Sequence, residues 1–139
     1  MTELTPEATV RGLFEALNAR DFARAAGAVA EHCEWESVAA ETLHRGSSPI
    51  VGGLRQSVAA FPDLQIEIIR LVAAGAVVVV EWEARGTFDG PFRGEEPNGK
   101  AFRRRGCSVA EIEGAKIVRY RDYYDRATLL GQLDLLHLL

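Results

Sequence analysis

Cysteine is nearly absent. Of 139 residues only 2 are cysteine, and Cys33 and Cys107 stand far apart without C-x-x-C spacing, which excludes a disulfide framework and a thiolate zinc centre. Both read as small apolar residues. Histidine is also scarce: the 3 present, His32, His44 and His137, form no HxxxH or HExxH pair, so no metal site is expected. Neither GxGxxG nor a Walker loop occurs, and no nucleotide or other cofactor is implied. There is no basic excess; 16 Lys and Arg face 20 Asp and Glu, a net charge of −4, which speaks against nucleic acid as a partner. The longest apolar run, residues 76–80, is far short of the roughly 18–20 residues that span a bilayer, so no membrane association is expected. The first residues, Met1 to Glu7, are acidic and lack the apolar stretch of a signal peptide, which points to the cytoplasm. At this length residues 1–139 read as one domain.

What is present is a clear change of periodicity along the chain. Thr5 caps a predicted helix with Pro6 at its first position, and Val10, Leu13, Phe14 and Leu17 share one face. After residues 18–21, Phe22, Ala25, Ala26 and Val29 repeat that spacing, giving a second helix that His32 closes as a C-terminal cation. Residues 33–38 alternate as a short strand. Ser47 or Ser48 before Pro49 starts a third helix, with Val51, Leu54 and Val58 on its inner face, ending at Phe61-Pro62. From residue 64 onward β-branched residues dominate and predict strands at 64–73, 77–85, 102–113 and 117–124. A Gly-rich segment, 86–100, separates the middle two and is long enough to be functional. Leu129, Leu130, Leu133 and Leu136 mark a last short helix. Helices first and hairpins later make the class α+β, with helices on one face of a mostly antiparallel sheet.

Trp82-Glu83-Ala84-Arg85-Gly86-Thr87-Phe88-Asp89-Gly90, then Pro97-Asn98-Gly99-Lys100, Gly114-Ala115-Lys116-Ile117 and Tyr123-Tyr124-Asp125, together with Phe61-Pro62-Asp63 and Gln132-Leu133, resemble the SnoaL-like polyketide cyclase family over nearly the whole chain. The resemblance implies the cone of the nuclear-transport-factor-2-like (NTF2-like) superfamily: a curved sheet wrapped by three N-terminal helices around an apolar pocket. It also implies a homodimer that pairs through the other face of the sheet. The fold so implied hosts isomerases, hydrolases, cyclases, dehydratases and non-catalytic binders, so it leaves function open. Residues 116–125 are also similar to the last strand of limonene-epoxide hydrolase, in which an aspartate at the place of Asp122 acts on water. The arginine and second aspartate of that family fall at Trp82 and Ala84, and its water-holding tyrosine and asparagine at Trp35 and Ser37. Characterised cyclases of the SnoaL-like family pair their aspartate with a histidine on the adjacent strand, and residues 104–108 hold none.

Alternation along a strand puts Tyr120, Asp122 and Tyr124 on one face, and Arg119, Arg121 and Tyr123 on the other. The first face suits the pocket, because arginines favour water. A carboxylate in an apolar pocket has its pKa raised toward the range of a general base; the alternative for Asp122 is an ion pair with Arg104 or Arg121. Tyr120 and Tyr124 can stabilise an enolate or serve as packed aromatics. Trp35 and Trp82 offer flat surface to a planar apolar or aromatic carbonyl compound, or fill core. Ser37 and Ser108 can orient a carbonyl but lack the partners of a nucleophile. His44, in a predicted loop near the pocket mouth, faces either substrate or solvent. Asp125 reads as a helix cap. Within Arg103-Arg104-Arg105, alternation sends Arg103 and Arg105 to one face and Arg104 to the other; the run reads as a solvated strand edge, and an inward-facing Arg104 would bind an anionic group or neutralise Asp122.

Overall fold

The computed structural model describes residues 4–139, so Met1, Thr2 and Glu3 of the acidic start lie outside it. Helix α1, Pro6–Asn18, begins where Thr5 accepts the Ala8 N–H at 3.1 Å and buries Val10, Leu13, Phe14 and Leu17, as the spacing requires. Asp21 caps α2, Phe22–Ala28. There the expectation is corrected, for the helix does not extend to His32. Strand β1, Val29–Ser37, starts directly at the α2 C-cap. Val29, Ala30 and Cys33 are drawn into the core, and Val29 pairs with Ile117, so sheet pairing overrides helical spacing and His32 is an exposed strand residue.

A second correction follows. Thr42–Arg45, expected as loop, is strand β2, whose His44 lies opposite Trp35 of β1. Helix α3 spans Ser47–Ala60. Strands β3, Gln65–Ala74, β4, Val77–Thr87, β5, Ala101–Glu113, and β6, Lys116–Tyr124, follow close to their predicted positions. Asp125 caps α4, Arg126–Gln132, by accepting the Thr128 N–H and hydroxyl at 3.1 and 2.8 Å. The leucine-rich tail is then split, with a 3-10 turn at Leu136–Leu138.

The sheet order is β2-β1-β6-β5-β4-β3. Every pairing is antiparallel except β1 with β6. Register shifts in β1/β6, β3/β4 and β5/β6 bend the sheet, since an extra residue on one strand increases local twist. The three N-terminal helices pack inside the curve. Asn18 fastens the end of α1 to β3 by bonding both the Ile66 N–H and C=O at 2.8 Å. The outer face is charged: Glu83 bridges Arg103 and Arg105 at 3.2 and 3.6 Å, and Arg121 meets Glu36 at 3.5 Å. The 88–100 loop docks on the end of α3, where Gly90 lies so close to the Ala59 carbonyl that any Cβ would collide. Among the described residues no helix is long and apolar enough to cross a membrane.

Candidate active site

Between the inner face of the sheet and the helices lies a cavity of about 700 Å³, in the size range of small-molecule sites. Its helical wall includes Leu13, Phe14, Leu17 and Leu54. The strands supply the polar groups. Tyr120, Asp122 and Tyr124 all line it from β6, as parity predicts, with Trp35 and Ser37 from β1, Trp82 from β4 and Arg104 from β5. His44 lines it from β2, its ring packed against Gly53 of α3, where a Cβ would sit 3.3 Å from Nε2.

The Asp122 carboxyl is half-buried, and its Oδ1 has no hydrogen-bond partner among the described residues. Burial pushes its pKa above the ordinary carboxylate value; the nearby Ser37, its register partner on β1, and the charge of Arg104 pull the other way. Asp122 and Arg104 form no ion pair within 4 Å. The Arg104 guanidinium carbon instead stands 4.2 Å from the Tyr124 ring centroid, 5.5 Å from that of Phe102 and 5.7 Å from that of Trp82. Arg104 thus sits in an aromatic cage. Burial lowers its pKa, against the opposing influence of Tyr124 and Asp122.

Ser108 does not reach the cavity. It is fully buried behind the wall, where its hydroxyl accepts the Trp82 indole N–H at 2.8 Å. Tyr120 is stacked on Trp35 with centroids 3.8 Å apart, and burial pushes its phenol pKa well up. Tyr120 therefore forms wall, and Tyr124 is the tyrosine beside Arg104. Phe61, Phe92 and Phe102 also line the cavity, forming an aromatic cluster with centroids 4.8 and 5.5 Å apart that sequence reasoning missed. Phe102 was findable, because it shares the strand parity of Arg104. Among the described residues no group of three metal-ligating side chains occurs.

The SnoaL-like polyketide cyclase model matches residues 7–133. The chain belongs to the SnoaL-like polyketide cyclase family. No curated protein matches it. Among solved structures, this family member is similar to IdmH from Streptomyces antibioticus, a proposed polyketide cyclase, at 25% identity and TM-score 0.83, covering 94% of this chain and 99% of that one. It is also similar in fold to an NTF2-like protein from Cytophaga hutchinsonii, at 15% identity and TM-score 0.70, covering 93% and 97%. An LEH-like epoxide hydrolase from M. tuberculosis aligns at 21% identity and TM-score 0.75, covering 96% and 92%. The fold is the NTF2-like cone. Within it, the β5 residue opposite Asp122 is Ser108, and residues 104–108 of that strand hold no histidine.

Proposed function

We propose that this SnoaL-like protein is a cofactor-independent enzyme of the polyketide cyclase type, a lyase or isomerase acting on a small carbonyl compound in the cytoplasm. The observation that carries the reading is the Asp122 carboxyl, half-buried in an apolar cavity with one oxygen unpartnered and no ion pair. Ionised, it is a strong base for its setting, since its charge is poorly solvated. Asp122 takes a proton from a carbon beside a carbonyl, and the electron pair moves to oxygen as an enolate. Tyr124 donates a hydrogen bond to that oxygen as charge develops. In an aldol closure the enolate carbon then attacks a second carbonyl of the same molecule, and Asp122 returns its proton to the new alkoxide. Trp82 and the Trp35–Tyr120 stack hold the planar substrate folded for attack. The cytoplasmic cyclase is read as a homodimer paired through the outer sheet face, where Val72, Val79 and Tyr123 are exposed.

One observation favours a second reading, a binder of small apolar ligands without chemistry: Ser108, not histidine, stands opposite Asp122. Epoxide hydrolysis ranks below both, because Trp82 and Ala84 occupy the places of that family's arginine and second aspartate. A panel of β-keto esters and epoxides separates the three. The cyclase reading expects turnover of a β-keto ester that Asp122→Asn abolishes while leaving binding intact. Unchanged turnover by that variant refutes Asp122 as base, and ligand binding with no turnover by either protein establishes the binder.

A further inference from the structure

Arg104 is the unexplained group of the cavity. Arg103 and Arg105 share Glu83, Arg24 holds Glu15, and Arg20 bonds three backbone carbonyls, while Arg55 and Arg93, which also meet only a ring, are exposed to water. Arg104 has only aromatic faces at 4.2 to 5.7 Å, and its buried Nε has no partner. Aromatic rings return part of the solvation that a buried guanidinium loses, but they accept none of its hydrogen bonds. A fork of donors in a dry site matches a planar, bidentate anion.

The charge of the lining agrees. Arg93 and Arg104 line the cavity against the single carboxylate of Asp122, although the chain as a whole carries −4. Position agrees as well. On β5, Arg104 lies four residues from Ser108, the register partner of Asp122, a backbone distance of about 13 Å along the strand. The long arginine side chain shortens the gap, yet the two groups form no ion pair, and both line the one cavity.

We propose that the cavity takes a flat aromatic or polyketide-like carboxylic acid, whose carboxylate pairs with Arg104 while its carbon skeleton lies along Trp82 and Tyr124 toward Asp122. This deepens the cyclase reading, on which it rests only for the direction in which the ligand points. The anion completes the hydrogen bonding of the guanidinium, and the aromatic cage excludes the water that would otherwise compete with it. A neutral ester of the same shape keeps the stacking and loses the ion pair.

The test is calorimetric titration of the intact protein at pH 8 with 2-naphthoate and with its methyl ester, needing no turnover and no variant for the first comparison. The acid is expected to bind at least tenfold more tightly than the ester. Arg104→Gln should erase that preference by weakening the acid alone, and Arg104→Lys, which keeps charge but not the fork, should retain part of it. Equal affinities, tighter binding of the ester, or binding of neither probe to the wild-type protein overturns the proposal. Failure of Asp122→Asn to abolish turnover bears on the base alone, so the two readings fail separately.

Discussion

Trp82 and Ser108 are joined by a 2.8 Å hydrogen bond from the indole N–H to the hydroxyl, behind the cavity wall and fully out of solvent on the serine side. One small residue thus pins a wall aromatic from behind. Ser108→Ala leaves a buried indole N–H without a partner, at a cost of about 1–3 kcal/mol. A lower midpoint in urea denaturation checks this, with the acid-over-ester preference of the cavity unchanged. If the preference moves as far as stability does, Ser108 touches ligand after all.

Gly106 lies flat beneath Trp82: a Cβ there would overlap the indole ring. Gly106→Ala must push the ring aside and break its bond to Ser108, an overpacking penalty of about 1–3 kcal/mol. Adding Trp82→Phe removes the colliding atoms. The double variant is therefore expected to lose less stability than the two single losses added together, and thermal melts of all four proteins measure the coupling. Simple additivity would mean that Gly106 is needed for its backbone and not for the ring above it.

Asn18 holds Ile66 through both backbone groups, and Ile66 is itself a lining residue. Asn18→Ala removes two bonds at once and frees the α1 end of the cavity from β3, which is expected to destabilise the chain by about 2–3 kcal/mol. Denaturant titration reads that loss. Asn18→Asp keeps the acceptor for the Ile66 N–H and should recover part of it; no recovery would show that the clamp acts through the Ile66 carbonyl.

The periodic elements were legible because their physics is local. Thr5 and Pro6 announce α1, Asp125 caps α4, and the two-residue alternation of β6 sorts Tyr120, Asp122 and Tyr124 from Arg119 and Arg121. Alternation also separated Arg104 from Arg103 and Arg105, and the structure shows that its face is the inner one. Two elements were hidden because distant partners create them. Val29 to His32 fit a helix until β6 offers a parallel ladder, and Thr42–Arg45 is a strand only because β1 lies beside it. Ser108 illustrates the limit at the site: it reads from sequence as a group able to orient a carbonyl, but the packed indole of Trp82 shows that a wall stands between it and the cavity. The Arg104 cage was equally out of reach, since Tyr124, Phe102 and Trp82 come from three strands.

Asp122 links function to stability with opposite signs. Its pKa is raised in the folded state, chiefly by burial, so the fold binds this proton more tightly than the unfolded chain does. The stabilisation is complete below the ordinary carboxylate value of 3.8 and is lost as pH rises through the raised folded value. At neutral pH the ionised carboxylate is thus a liability that Ser37 and Arg104 only partly relieve. Asp122→Asn keeps the shape but cannot ionise. It is expected to melt a few degrees above the wild type at pH 7, with the difference shrinking toward pH 4. Activity should run the other way, rising with pH in the wild type as the base ionises and vanishing in the variant. Melting curves across pH 4–8 decide the matter: a variant less stable than wild type at pH 7 would mean that the Asp122 charge is held by a partner, and that the carboxylate is structural and not a base.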